Sequence, residues 1–275
     1  MMETQIISFL LGSFTGVVLA LTGAGGAIIA VPLLIFGLHL AVAEAAPIAL
    51  LAVCLSATIG ASLAFLQRKV RYRAAGFIAL TGAVASPIGI WLAQKLPNTP
   101  LTLLFAMVLM YVAFDMFRQN SSKQTEASGT RSFAAPCLLD SPGGRLIWTW
   151  PCVRALALSG LTAGSLSGLL GVGGGFVVVP ALKKVTNLEM QAILATSLAV
   201  IALIAAIGVT SAAFMSEMNW LIAIPFAGGA IAGMLLGRLF ANRFAGPKLQ
   251  QGFAVLAVCV SVGMVIKVIF VAGIF

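Results

Sequence analysis

Two stretches of this chain carry clustered glycines followed by an apolar run that ends in proline: ALTGAGGAIIAVP at Ala20–Pro32 and GLLGVGGGFVVVP at Gly168–Pro180. Glycine has no Cβ, so Gly25, Gly26, Gly173, Gly174 and Gly175 let a ligand come close to the backbone. The apolar segment after each turn begins with N–H groups that lack an intrahelical acceptor and with the positive end of a helix dipole, about half a charge. Two such ends facing one cavity suit a small anion with no buried lysine or arginine beside it. A dinucleotide site is the other common use of such glycines. It requires a βαβ unit with an acidic residue about 20 positions on, and neither stretch has that context.

Hydroxyls flank the turns. Thr22 precedes the first, and Thr196 and Ser197 fall in the first turns of the long apolar segment after the second. Such groups donate either to anion oxygens or to the i−4 carbonyl of their own helix. His39, the single histidine, follows the first short apolar segment and is a candidate for titration in a proton-coupled cycle. Glu44 and Glu189 begin the long third segments of their halves. They are coupling candidates too, although an acidic residue favours a helix N-terminus for dipole reasons alone. The chain has no nucleophile elbow, no HExxH and no paired carboxylates in a plausible cleft. Neither an enzyme, a metal nor another cofactor is expected.

Composition decides the solvent. Of 275 residues, 61% are hydrophobic and 8% charged, and the mean hydropathy is +1.11. A soluble domain carries about 25% charged residues. The apolar residues come in long blocks; Leu101–Phe114 departs from the hydrophobic class only at Thr102. A span needs about 20 mostly apolar residues. The chain is therefore expected to be an all-α, polytopic integral membrane protein, with the lipid bilayer and a small anionic substrate as partners. The net charge is +9, from 16 basic and 7 acidic residues. The basic residues sit between the apolar blocks, where they control topology, so nucleic acid is excluded as a partner. Cys54, Cys137, Cys152 and Cys259 form no CxxC pair and read as packing residues, not as a disulfide framework.

Shifted by 148 positions, the chain falls on itself. Gly12, Gly16, Gly23, Gly25 and Gly26 land on Gly160, Gly164, Gly171, Gly173 and Gly174, and Val31-Pro32 lands on Val179-Pro180. The halves are 1–118 and 154–275, joined by a linker, 119–153, rich in Ser, Gly, Pro and charge. Each half reads as five apolar segments: 5–22, 26–38, 40–67, 74–95 and 100–118, then 154–170, 174–184, 187–213, 219–243 and 247–272. The second segment of each is too short to span. The first two are expected to form a hairpin around the glycine turn, followed by three transmembrane helices. Pro32 and Pro180 are expected to end or kink the short helices. Gly12/Gly16 and Gly160/Gly164/Gly168 have the spacing of close helix packing.

Charge orients the halves. Arg68, Lys69, Arg71 and Arg73 follow the third segment of the first half, whereas the equivalent loop near 214–219 holds Glu217 and no basic residue. The gap near 95–100 holds Lys95; its equivalent holds Arg243 and Lys248. The basic bias swaps sides, so the positive-inside rule predicts two repeats of inverted topology. The linker, with Arg118, Lys123, Arg131, Arg145 and Arg154, is expected to be cytoplasmic and both termini periplasmic.

The paired glycine-turn motifs, together with ATSLAV at Ala195–Val200, resemble the sulfite exporter TauE/SafE family over nearly the whole chain outside the linker. The resemblance implies a multi-pass carrier of the bacterial inner membrane for a small sulfur-containing anion such as sulfite, a sulfonate or sulfoacetate, coupled to an ion. Where the second half has Thr196-Ser197, the first has Ile48-Ala49, so a polar lining would not be symmetric. The expected function is a secondary transporter working by alternating access. A passive small-anion channel is the alternative.

Overall fold

The structure, a computed structural model, describes residues 2–23, 25–67, 70–125, 137, 149–186, 190–215, 218–244 and 247–271. Within them the chain forms helices joined by short turns: α1 (Met2–Thr22), α2 (Gly25–Gly37), α3 (Val42–Leu66), α4 (Tyr72–Lys95), α5 (Asn98–Thr125), α6 (Trp150–Leu170), α7 (Gly175–Val185), α8 (Met190–Met215), α9 (Trp220–Phe244) and α10 (Pro247–Val271). Seven are long and apolar enough to cross a membrane: α1, α3, α4, α5, α6, α8 and α9. The all-α polytopic membrane fold follows from blocks of apolar residues that must satisfy every backbone group internally.

The short helices are the inner ones. α2 has 13 residues and α7 has 11, which at 1.5 Å per residue reach roughly 20 and 16 Å against a hydrocarbon core of about 30 Å. From Gly26 to Pro32 every residue of α2 is buried. A helix apolar all round belongs inside a protein. The long helices carry the outward apolar surface, for example Leu80, Val84 and Ile88 on α4 and Met107, Tyr111 and Phe114 on α5. Trp91 and Trp150 lie near helix ends, each under a basic side chain: Lys95 Nζ is 3.9 Å and Arg154 Cζ 4.9 Å from the ring centre. That is the chemistry of a membrane interface.

Glycine stripes let two helix pairs close. On α1 and α9, a Cβ at Gly16 would strike the backbone of Ala230. On α6 and α4, a Cβ at Gly164 would strike the backbone of Gly82. These positions are equivalents at the repeat offset, so the small-residue spacing read from sequence serves packing. At the centre α3 crosses α8. The Cys54 thiol lies 3.8 Å from the Ala202 carbonyl, a pair separated by 148. Gly60 faces Leu198 and Gly208 faces Leu50, another equivalent pair. Equivalent positions touching each other mark a local twofold axis, and the pairings show that α3 and α8 run antiparallel. Around that axis α5 packs on α10, where the Ser261 hydroxyl donates to the Ala106 carbonyl at 2.8 Å.

One expectation is corrected, and the helix limits refine two others. Pro32 and Pro180, expected to end or kink the short helices, lie inside them; α2 continues to Gly37 and α7 to Val185. Surrounding helices tolerate the one lost hydrogen bond. α5 runs past the expected end of its apolar segment at 118, through polar residues to Thr125, with no glycine or proline to interrupt it. α6 starts at Trp150, with Pro151 in its first turn. Cys137 and Cys152 are not packing residues but a disulfide, with Cα atoms 5.1 Å apart and both residues buried. The Cys137 N–H donates to the Val185 carbonyl at 3.1 Å. The bridge thereby ties one linker residue to the start of α6 and the end of α7, the base of the second hairpin.

Candidate functional site

α1 ends at Thr22 and Gly23 takes a left-handed conformation, φ +72. Its N–H donates to the Leu19 carbonyl at 2.8 Å, and α2 begins at Gly25. In the second half Gly171 caps α6 (φ +71), then Gly173 and Gly174 are left-handed at +71 and +67, and α7 begins at Gly175. A side chain costs energy in this region of φ, so glycine is required there. The Gly174 carbonyl accepts the N–H of Val177 and Val178. The N–H groups of Gly175 and Phe176 belong to the first helical turn and have no backbone acceptor among the described residues.

The fold brings the starts of α2 and α7 together. Ile28 and Phe176, equivalents at the offset of 148, line one small apolar cavity with Phe105, Val108, Leu109 and Val112 of α5. A Cβ at Gly173 would lie 3.1 Å from both Val53 and Ile201, again equivalents, where α3 and α8 cross. The glycine turns therefore reach the pseudo-twofold axis. Aliphatic side chains fill the space between them in this conformation.

The candidate hydroxyls have partners. Thr22 donates to the Val18 carbonyl at 2.7 Å and Thr196 to that of Ala192 at 2.6 Å, both i−4 bonds within a helix. Thr196 also accepts the backbone N–H of Arg71 at 3.2 Å, which anchors the turn between α3 and α4. Ser197 has one proton between two carbonyls, Leu194 at 2.8 Å and Gly23 at 3.3 Å. Ser197 thereby reaches the first glycine turn from α8. Gly26 lies against Thr15 and Leu19 of α1, which closes the first hairpin.

The coupling candidates lie apart from the turns. His39 is exposed in the connection between α2 and α3, with φ 55. Glu44 is exposed at the start of α3, where its carboxylate accepts the Ala41 N–H at 3.4 Å. Glu189 lies outside the described residues. Lys267 sits inside α10 but is spent on a helix end: its Nζ donates to the Ile35 carbonyl near the end of α2 at 3.4 Å. A cation there stabilises the negative end of the dipole. Among the described residues no cluster of His, Cys, Asp and Glu is arranged to hold a metal ion.

A second cavity, of about 200 Å³, has Glu44 and Gln94 in its wall, together with Pro47, Leu50, Ile90, Gly168, Leu169 and Ala212. It lies between the start of α3 and the ends of α4, α6 and α8, so it reaches the tip of the second hairpin from the face opposite the linker. Gln94 was not among the residues singled out from sequence. A lone glutamine at the end of an apolar segment carries no spacing signal.

The fold and its two short hairpins define a polytopic helical membrane protein. The sequence profile of the sulfite exporter TauE/SafE family matches residues 8–264, and the chain belongs to that family. It is 28% identical over 269 residues to a "Probable membrane transporter protein" of Xylella fastidiosa (strain 9a5c), covering 94% of each chain. It is 27% identical over 267 residues to a protein of the same description from Xylella fastidiosa (strain Temecula1 / ATCC 700964), again covering 94% of each. To the "Probable membrane transporter protein YunE" of Bacillus subtilis (strain 168) it is 25% identical over 239 residues, 84% of this chain and 86% of that one. No solved structure matches the chain significantly.

Proposed function

We propose that this membrane protein is a secondary transporter that moves a small sulfur-containing anion, sulfite, a sulfonate or sulfoacetate, across the inner membrane by alternating access and coupled to an ion. The observation that carries this reading is the meeting of the buried starts of two short helices, α2 and α7, at the α3–α8 crossing, each entered through a glycine turn. Irregular backbone at depth is tolerated where protein buries it, and in transporters built from repeats it is where substrate sits. Helix N-termini supply N–H groups and positive potential without a fixed cation. The substrate contacts in this reading are the backbone around Gly25, Gly26 and Gly173–Gly175, with the hydroxyls of Thr22, Thr196 and Ser197 released from their carbonyls as the site opens. His39, Glu44 and Glu189 are the coupling groups. Glu44 is the best placed of these, in the wall of the 200 Å³ cavity.

The two halves are read as inserted with opposite topology. The antiparallel crossing of the equivalent helices α3 and α8 supports this, as does the swap of basic residues between equivalent loops. On that topology the linker face is cytoplasmic and both termini are periplasmic.

The test is flux. Purified protein in liposomes should accumulate sulfite or methanesulfonate against its gradient when a proton or sodium gradient is imposed. Flux that only equilibrates the anion under every imposed gradient rejects ion coupling, and no flux of any of these anions rejects the substrate class.

A further inference from the structure

Two hydroxyls break a rule that the other buried hydroxyls among the described residues keep. Ser86 on α4 and Ser167 on α6 are fully buried, and neither Oγ has a hydrogen-bond partner. Every other buried Ser or Thr among the described residues donates to a carbonyl; examples are Ser56 to Ala52, Ser159 to Leu156 and Thr15 to Leu11. Most of these acceptors lie three or four residues back on the same helix, and that bond is open in principle to any helical serine. Ser86 and Ser167 do not make it. Unsatisfied buried polar groups are few in native proteins, and each calls for a cause.

Their placement supplies one. The Ser86 carbonyl packs on Gly168, the residue next to Ser167, so the two serines sit at the same level of the α4–α6 contact. Ser167 follows Ala163 by four residues and so shares its face of α6. Ala163 is the residue against which Gly174 packs, so Ser167 stands on the side of α6 that holds the second glycine turn. The cavity of about 200 Å³ comes close to both serines without being lined by either: its wall holds Gly168, next to Ser167, and Ile90, one turn from Ser86. The repeat offers an internal control. At the offset of 148, Ser86 corresponds to Met234 and Ser167 to Leu19, both fully buried apolar side chains. One side of the pseudo-twofold is filled with hydrocarbon; the other carries two hydroxyls.

We infer that Ser86 and Ser167 are substrate-coordinating residues, paired O–H donors for the oxygens of a small oxyanion that enters from the 200 Å³ cavity and docks at the start of α7. This rests on the anion-transport reading above and adds an asymmetry to it: binding is centred on the second glycine turn, not shared equally between the two. A hydroxyl is neutral and rotates to its acceptor, so in the empty protein it costs less than a buried cation and still donates when the anion arrives.

The experiment uses the full-length protein in detergent and titrates sulfite and methanesulfonate into wild type, Ser86→Ala, Ser167→Ala, Ser159→Ala and Gly174→Ala, with a thermal melt of each. A hydrogen bond to a charged group is worth about 1.5–3 kcal/mol, roughly ten- to a hundredfold in Kd. Ser86→Ala and Ser167→Ala should each weaken anion binding by about tenfold or more. Their melting temperatures should hold or rise, because an unpartnered buried hydroxyl has been removed. Ser159→Ala, which loses only a bond within its own helix, should bind as wild type. Ser167→Cys, nearly isosteric and a weaker donor, should fall between wild type and Ser167→Ala and serves if the alanine variant does not fold. Wild-type affinity in both serine variants, alongside loss in Gly174→Ala, overturns the serine assignment and leaves the glycine-turn site standing. Wild-type protein that binds neither anion overturns the transport reading and this site with it.

Discussion

Replacing Gly174 with alanine tests the second glycine turn through two separable costs. Its φ of +67 lies in the left-handed region, where a Cβ costs about 1–2 kcal/mol. That Cβ would also lie 2.8 Å from the Ala163 carbonyl carbon, which is backbone and cannot swing aside. Overpacking of this kind adds about 1–3 kcal/mol, for a total of about 2–5. Gly173 separates the terms. Its φ is +71, but its nearest neighbours are the side-chain methyls Ile201 Cγ2 and Val53 Cγ1 at 3.1 Å, which can yield. Gly173→Ala should therefore cost little beyond the conformational term, about 1–2 kcal/mol. Gly228 in α9 has nothing within 4 Å of an added Cβ, and Gly228→Ala should stabilise by about 0.5–1 kcal/mol through helix propensity. Thermal unfolding of the purified variants in one detergent should rank Gly228→Ala at or above wild type, then Gly173→Ala, then Gly174→Ala. A Gly174→Ala protein that melts with or above Gly173→Ala would show that α6 and α7 do not meet as described, and the turn would lose its claim to be a built feature.

Four further outcomes follow from the geometry. Ser197→Ala removes a side-chain bond to the Gly23 carbonyl of the first glycine turn and should cost about 1 kcal/mol in a thermal melt; a rise in melting temperature contradicts it. Gly164→Leu, placed against the backbone of Gly82, should prevent stable folding, while Gly76→Leu, with open space around it, should be recovered in wild-type yield by size-exclusion chromatography. Tags at positions 69 and 216 should be reached by impermeant reagents from opposite sides of the membrane, and equal accessibility rejects the inverted repeat. The cytoplasmic linker face predicts that Cys137 and Cys152 are thiols in living cells and join after isolation, because disulfides do not persist in a reducing compartment. Acid quenching followed by maleimide mass-tagging should show both thiols free in cells; a pair already joined there would reverse the orientation.

The disulfide shows how far local pattern extends. Cys137 and Cys152 sit outside the long apolar blocks, 15 residues apart, and nothing in that spacing distinguishes a bridge from two packing residues. Their pairing depends on Cys137 meeting Val185 at the base of the second hairpin, a contact between residues far apart in sequence. Thr196 has the same lesson. Its type and position give no hint that its hydroxyl donates to the Ala192 carbonyl and accepts the Arg71 N–H across the α3–α4 turn.

By itself the sequence determined the solvent, the helices and the repeat. Long apolar blocks leave backbone groups no partner in lipid except their own helix, and glycine marks the places where that helix must break. That reasoning located ten segments, the two short ones and both turns to within a few residues, except at the end of α5, which runs on to Thr125. Only the tertiary structure decided which polar groups are used up and which are left over. Ser56, Ser159, Ser86 and Ser167 look alike as isolated hydroxyls in apolar helices, and all four are buried. Two bond to their own helices and two do not. Whether a hydroxyl finds a partner is settled by the rotamer that neighbouring helices permit, and no window along a single chain records those neighbours.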